Sequence, residues 1–218
     1  MNRDLKIEAG LIYHIYNRGN NKNIIFKDRS DYIFFIDKLK TYLEKYLVNI
    51  LIYTLMPNHY HLLAIQNKGG SISNMIGALA TSTAKRFNLK YGHIGHLFQG
   101  PFRYVIVPDE MLYYVGCYIH LNPVRAGLSR EPEGWEFSNF RDYTILRAKQ
   151  KENFNTANDM KNSYDENKPL IIAYEYIDFV KEILRDERAE KEYWQKVHMH
   201  AEGFLFPRRN QDKVKLQQ

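Results

Sequence analysis

The chain has 218 residues, of which 44% are apolar and 26% are charged, a composition typical of globular proteins. This length corresponds to one large domain or to one domain with an extension. The longest apolar stretches, such as Val48–Leu55, are too short to cross a bilayer, which takes about 20 residues. The N-terminus lacks the apolar core of a signal peptide, and a single cysteine, Cys117, excludes an internal disulfide and a zinc site built on several thiolates. We therefore expect a cytoplasmic protein with no membrane partner.

The net charge of +6 is unevenly distributed along the chain. Residues 1–150 carry 19 Lys and Arg against 12 Asp and Glu, whereas residues 151–218 carry 12 against 13. The chain also contains 17 tyrosines. Positive charges interleaved with aromatic rings suit a phosphate backbone with stackable bases, although many basic proteins bind no nucleic acid. The composition therefore indicates nucleic-acid binding without establishing it.

Periodic patterns divide the chain into strands and helices. Runs of β-branched and aromatic residues favour strands, and apolar residues three or four positions apart favour helices. The predicted elements, in chain order, are a strand at residues 11–17, a helix from Asp28 or Ser30 to about Tyr46, strands at Val48–Thr54 and His59–Gln66, a helix at Ser71–Leu89, a strand at Phe102–Val107 and a helix at Glu110–Leu121. Ser30 or Asp31 can cap the first helix, and Pro123 is expected to end the last one near Asn122.

This order of elements predicts an α+β fold. Strand–helix–strand–strand–helix–strand is the order of a ferredoxin-like split βαβ antiparallel sheet with helices on one face. After about Tyr143 the periodic pattern weakens. We expect a domain over residues 1–145, a polar linker or loop over 146–170, and a helical C-terminal extension over 171–218 with its helix at Ile171–Trp194.

Two pairs of residues could form a metal-dependent site. His59 and His61 lie on one face of a predicted strand, with their Cα atoms about 7 Å apart, so that both imidazoles can bind one metal ion. Tyr118 and Asn122, four residues apart, project from one side of the last predicted helix. An amide oxygen could complete a mixed nitrogen and oxygen site suited to Mg²⁺ or Mn²⁺. The tyrosine could then attack a phosphorus atom polarised by that metal.

Each of these residues also has a structural interpretation. Two histidines separated by one residue occur often by chance, and Tyr118 could pack its helix as Tyr113 and Tyr114 could. His14 could lie beside the metal site or face the sheet, and His120 is turned to a different face of the helix. The basic residues that could contact phosphates are Arg18, Lys85, Arg86, Arg103 and Arg125.

Five spaced segments together resemble a known family. They are Tyr13–Gly19 (YHIYNRG), Met56–Leu63 (MPNHYHLL), Gly95–Gly100 (GHLFQG), Tyr118–Leu128 (YIHLNPVRAGL) and Trp135–Tyr143 (WEFSNFRDY). Over roughly residues 9–145 the chain resembles the single-tyrosine transposases of the HUH class, most closely the REP-associated tyrosine transposases. The resemblance is specific because all five motifs agree in order.

The resemblance implies a ferredoxin-like nuclease that acts on single-stranded DNA, often at a hairpin. His59 and His61 match the family's metal-binding pair, with Tyr60 where an aliphatic residue is usual. Tyr118 matches the nucleophile, and Asn122 matches the third metal ligand. The implied reaction uses one divalent ion, Mg²⁺ or Mn²⁺, and passes through a 5′-phosphotyrosine and a free 3′-OH, so that strands are rejoined without ATP. A monomer and a homodimer are both compatible with the resemblance.

Two other functions stay open from the sequence. The chain could be a non-catalytic module that binds single-stranded nucleic acid on a ferredoxin-like sheet. It could also be a metal-dependent hydrolase that uses water, in which Tyr118 is structural.

Overall fold

The computed structural model describes residues 7–145, 173–185 and 192–193. The strands are β1 (Ile12–Arg18), β2 (Val48–Met56), β3 (His59–Gln66) and β4 (Arg103–Ile106). They are antiparallel and form one sheet in the order β2-β3-β1-β4. The helices are α1 (Arg29–Lys45), α2 (Ile72–Tyr91), α3 (Leu112–Arg125) and α4 (Ala173–Arg185), with short 3₁₀ turns at Asn20–Lys22, Asp109–Met111 and Pro132–Gly134 and helical residues at 140–145. The predicted ferredoxin-like α+β fold is confirmed.

The sheet separates two cores, because alternate residues of each strand point to opposite faces. Ile15 and Leu62 face α1 and α2, where Phe35 and Leu79 are fully buried. Leu63 belongs to the other core, which contains residues of α3 and α4. Helices α1 and α2 therefore share one face as predicted, and α3 and α4 cover the opposite face.

The start of α1 corrects one sequence prediction. Asp28, not Ser30 or Asp31, is the N-cap residue, and its backbone is extended (φ −140°, ψ 171°). Its carboxylate accepts a hydrogen bond from the Ser30 N–H at 2.9 Å, and the Asp31 carboxylate accepts one from the Asp28 N–H at 3.3 Å. Ser30 and Asp31 already have helical backbones, so they lie too far inside the helix to act as the N-cap.

The end of α3 corrects a second sequence prediction. The helix passes through Pro123 and ends at Arg125 instead of near Asn122. The Asn122 carbonyl still accepts a hydrogen bond from the Ala126 N–H at 3.0 Å, and Gly127 ends the helix with a φ of +68°. The buried Pro123 thus lies inside the helix, and Asn122 keeps helical geometry on the same side as Tyr118.

The C-terminal prediction is only partly covered by the described residues. The predicted helix over Ile171–Trp194 is helical at Ala173–Arg185 and at residues 192–193, and the predicted linker over 146–170 lies outside the described residues. The division into domains therefore stays a prediction. Among the described helices, none combines the length and the apolar character that crossing a membrane requires.

Candidate active site

Strand β3 carries the histidine pair on the face that α3 covers. β3 is hydrogen-bonded to β1 on one edge and to β2 on the other, and His61 lies opposite Tyr16 and Thr54. His59, the first residue of the strand, lies opposite Arg18. The two imidazole rings are perpendicular, at 89°, with their centroids 5.0 Å apart. The predicted strand therefore brings both imidazole rings together at the edge of the core that contains residues of α3 and α4.

The orientation of His59 is fixed by the residue before it. The His59 Nδ1 lies 2.6 Å from the Asn58 Oδ1. An amide oxygen can only accept, so the His59 Nδ1 donates this hydrogen bond. In the neutral ring the lone pair then lies on Nε2, which is the atom available to a metal ion.

His14 is a residue of this site whose role the sequence left open. Its Nε2 lies 2.9 Å from the His61 Nδ1, and the two rings are stacked with centroids 5.1 Å apart. The other ring nitrogen, Nδ1, is buried with no hydrogen-bond partner among the described residues. In the sequence, His14 and Tyr16 are two residues apart, so they are expected on the same face of a strand. That this face lies beside His61 depends on the pairing of β1 with β3, which the spacing does not show.

Burial keeps the three imidazoles neutral at pH 7. Loss of solvent lowers the pKa of His14 to about 3 and, with the charge of Arg18, the pKa of His59 to about 4. Loss of solvent, with the neighbouring rings of His14 and His59, holds the pKa of His61 well below its usual value. Neutral imidazoles present lone pairs, so this environment suits metal binding better than the binding of an anion by histidine cations.

Helix α3 of the same chain brings Tyr118 to the histidines. The Tyr118 ring lies 5.5 Å from the His61 ring and 6.1 Å from the His14 ring, measured between centroids. Burial raises the pKa of the Tyr118 hydroxyl, whereas a hydrogen bond from the Asn122 side chain and the positive charge of Arg125 oppose this shift. Tyr16 adds to the rise, so the pKa of the Tyr118 hydroxyl stays above its ordinary value despite Asn122 and Arg125.

The other two tyrosines of α3 face α4. The Tyr113 hydroxyl lies 3.3 Å from the Glu175 Oε2, and the Tyr114 ring lies 5.1 Å from the Phe179 ring. Their side chains therefore pack against the C-terminal helix. Tyr118 is the tyrosine of this helix whose ring contacts the histidines.

The donors at the site fit a divalent ion that accepts nitrogen and oxygen ligands. The Asn122 Nδ2 donates to the Tyr118 carbonyl at 2.7 Å, which places the Asn122 amide on the same side of α3 as Tyr118. Within the part of the chain that the structure describes, no three His, Cys, Asp or Glu side chains are grouped to hold a metal. Two imidazole nitrogens, together with an amide oxygen one helical turn from Tyr118, would form a donor set that suits Mg²⁺ or Mn²⁺ better than an ion that prefers thiolates.

The basic residues proposed as phosphate contacts divide between the two faces. Arg18 is exposed beside His59, Arg103 is exposed opposite Tyr16, and Arg125 is exposed one turn beyond Asn122. The remaining two, Lys85 and Arg86, lie on α2. The Arg86 guanidinium stacks 4.7 Å from the centroid of the Phe34 ring, and Lys85 lines a groove between α1 and α2. The structure therefore brings Arg18, Arg103 and Arg125 towards the histidines and places Lys85 and Arg86 on the opposite layer.

Comparison with protein families decides the class of this chain. Residues 8–122, more than half of the chain, match the family model described as transposase, IS200-like. The chain belongs to the IS200-like transposases. The matched range includes His59, His61, Tyr118 and Asn122. Transposases are enzymes that act on DNA, so DNA transposition is the activity of this family.

A solved structure supports the fold of this IS200-like transposase. The structure of a REP-associated tyrosine transposase bound to a REP hairpin superposes with a TM-score of 0.56 at 16% identity, over 66% of this chain and 86% of that one. A candidate transposase from Deinococcus radiodurans is similar at 18% identity and a TM-score of 0.40, over 55% of this chain and 95% of that one. Among curated proteins, no sequence matches the chain.

Proposed function

We propose that this IS200-like transposase cuts and rejoins single-stranded DNA at hairpin-associated sites through a covalent bond between DNA and Tyr118. The observation that carries the proposal is the 5.5 Å approach of the Tyr118 ring to the His61 ring within one chain. The similar REP-associated transposase is bound to a REP hairpin, which supports a hairpin substrate. Because one copy supplies both parts of the site, the geometry also supports action as a monomer.

We assign His59, His61 and Asn122 to hold one divalent ion, Mg²⁺ or Mn²⁺. The bound ion would offset the negative charge that develops on the phosphoryl oxygens. Asn58 orients His59, and His14 orients His61, through the hydrogen bonds at 2.6 Å and 2.9 Å. Hydrogen-bond partners of metal ligands fix the orientation of the ligand rings. Their removal typically lowers metal affinity or activity by 10- to 100-fold.

Tyr118 is the nucleophile in this proposal. Its oxygen forms a bond to the scissile phosphorus while the bond from phosphorus to the 3′ oxygen breaks, and the 3′ oxygen leaves as a hydroxyl after taking a proton. The product is a 5′-phosphotyrosine. A phenol has an ordinary pKa of about 10, and burial raises that of Tyr118, so its anion needs stabilisation; Asn122 and Arg125 supply a part of it, and the bound divalent ion would supply more. One phosphate ester replaces another, so a second 3′-OH can reverse the step and join the strand.

The covalent intermediate is the test of this function. We expect the full chain, incubated with Mn²⁺ or Mg²⁺ and a labelled single strand that contains a hairpin from the flanks of its own gene, to form a denaturation-resistant protein–DNA adduct. Mass spectrometry should place the nucleotide on Tyr118. Tyr118→Phe should abolish the adduct, because it removes the attacking oxygen and keeps the ring.

Tyr113→Phe and Tyr114→Phe are the matched controls, since they remove the same atom from the same helix on the α4 side. Both should retain the adduct. An adduct that survives in Tyr118→Phe would contradict the assignment of the nucleophile. Cleavage that leaves a free 5′-phosphate and no adduct would indicate a hydrolase, and binding without cleavage would indicate a non-catalytic module.

A further inference from the structure

Helix α4 packs against α3 on the side opposite to Tyr118. Tyr176 of α4 is fully buried, and its hydroxyl lies 2.6 Å from the Nδ1 of His120, which is also fully buried. His120 follows Tyr118 by two residues, or roughly 200° around the helix. The hydrogen bond from α4 therefore contacts α3 on the side opposite to the histidine pair.

His120 continues this connection to the sheet. Its Nε2 lies 3.0 Å from the Asn139 Oδ1. The orientation of the Asn139 amide is fixed, because its Oδ1 accepts from the Tyr53 N–H and its Nδ2 donates to the Leu51 carbonyl, both at 2.8 Å. The His120 Nε2 must then donate to Asn139, and in the neutral ring Nδ1 accepts the proton of the Tyr176 hydroxyl. One chain of hydrogen bonds thus runs from α4 through α3 to β2.

The packing around Gly116 restricts α3 in the same place. A Cβ atom at Gly116 would lie 2.6 Å from the Ile52 Cδ1 and 3.1 Å from the Tyr176 ring. The backbone of α3 is therefore held closely between β2 and the Tyr176 side chain. A second contact lies nearby, where the Tyr193 hydroxyl donates to the Tyr114 carbonyl at 2.7 Å.

We propose that Tyr176 is a positioning residue for the nucleophile: through His120 it fixes the rotation of α3 and so the placement of Tyr118 opposite His61. This inference rests on the proposed function, in which Tyr118 attacks the DNA. A rotation of α3 about its axis would move Tyr118 and His120 together, because they lie on opposite sides of one helix. A hydrogen bond to His120 therefore also restricts the position of Tyr118. Displacements of about 1 Å can cost on the order of 100-fold in rate, which makes a fixed rotation valuable.

The test compares two single-atom deletions in the full chain. Tyr176→Phe removes the hydroxyl that reaches His120. Tyr13→Phe removes a buried hydroxyl from the opposite face of the sheet, where the Tyr13 hydroxyl accepts from the Glu8 N–H at 2.8 Å. With saturating hairpin DNA and Mn²⁺, we expect Tyr176→Phe to slow adduct formation about 10- to 100-fold while the dissociation constant for the DNA stays within about twofold. Tyr13→Phe should change neither quantity by more than about twofold.

A second readout works without DNA cleavage. With 3-fluorotyrosine placed at position 118, the ¹⁹F resonance reports the surroundings of that ring. We expect this resonance to shift or broaden in Tyr176→Phe and to stay in place in Tyr13→Phe. An unchanged resonance, or equal adduct rates in the two variants, would overturn the positioning role. If the wild-type chain forms no adduct but the resonance moves, the proposed function fails and the attachment of Tyr118 through α4 stands.

Discussion

The two faces of the sheet use the same strands for different purposes. Facing α1 and α2, most inward residues of β1 and β3 are apolar or aromatic and buried, among them Ile15 and Leu62. Facing α3, the same strands present His14 and His61, whose rings bond to each other instead of interlocking with apolar neighbours. The first face gains its stability mainly from packing, whereas the second combines an apolar core with polar groups at fixed positions. Stability and activity should therefore respond to different substitutions.

A cavity on the packed face should have the largest effect on stability. Phe35 is fully buried against Phe26 and Tyr60, with ring centroids 5.3 Å and 5.2 Å away. We expect Phe35→Ala to lower the free energy of unfolding in urea by about 3–5 kcal/mol. Lys40→Ala, an exposed site on the same helix, should change it by less than about 0.5 kcal/mol. A loss below about 1 kcal/mol at Phe35 would contradict the idea that this face dominates stability.

Replacing either of two helical glycines by alanine should change the free energy of unfolding, but in opposite directions. Gly116→Ala introduces a methyl group close to Ile52 and Tyr176, and we expect it to cost about 1–3 kcal/mol of unfolding free energy. Gly77→Ala, on α2, meets nothing within 4 Å and should stabilise the chain by about 0.5–1 kcal/mol through helix propensity. Thermal unfolding of both variants measures the difference, and two changes of the same sign would remove the contrast between the helices.

Replacing both histidines of the hydrogen-bonded pair should separate stability from activity. The double variant carries both His14→Leu and His61→Leu, so no polar atom of the pair is left buried. We therefore expect its free energy of unfolding to change by no more than about 1 kcal/mol. His14→Leu alone should be more destabilising, because it leaves the His61 Nδ1 without its partner. Calorimetry should show that the double variant no longer binds Mn²⁺. Retained Mn²⁺ binding would contradict the assignment of His61 as a ligand.

The smallest effect concerns an ion cluster between α1 and α2. The Lys90 Nζ lies 2.7 Å from the Asp28 carboxylate and 2.9 Å from the Asp31 carboxylate. Burial alone would raise the pKa of Asp31, but hydrogen bonds from Lys90, Tyr91 and backbone N–H groups lower it overall. A carboxylate with a lowered folded pKa stabilises the protein above its unfolded pKa, about 3.9, and this contribution is lost as the pH falls through the folded value.

We therefore expect Lys90→Met to raise the pH at which acid unfolds the chain, as measured by circular dichroism. Lys68→Met, at an exposed turn, should leave that pH unchanged. Equal midpoints for the two variants would show that the cluster does not contribute.

The sequence predicted the elements of the site better than their surroundings. Strand alternation placed His59 and His61 on one face, and helical spacing placed Asn122 beside Tyr118, because both rules are local. The contact between His14 and His61 joins residues 47 positions apart and depends on which strands pair. Local periodicity does not specify that pairing. The partner of His120 was also beyond local rules, since Tyr176 lies 56 residues away on α4.

The two errors at helix ends have local causes. The predicted caps, Ser30 and Asp31, and the observed cap, Asp28, all have side chains that can accept the capping hydrogen bond, and the choice depends on where the backbone becomes helical. At Pro123 the preference of the preceding residue for extended backbone is weaker than the packing of a helix whose proline is buried. In both cases burial and backbone geometry decided between alternatives that the residue types allowed.

The place of β3 in the middle of the sheet has a mechanical consequence. A strand bonded along both edges cannot shift without breaking two ladders, so the spacing between its paired imidazoles is rigid. Helix α3 is joined to its neighbours by side chains, and in the described part of the chain no backbone hydrogen bond ties it to the sheet. The imidazoles are therefore held in place by backbone hydrogen bonds, whereas the phenol depends on side-chain contacts such as the one between His120 and Tyr176.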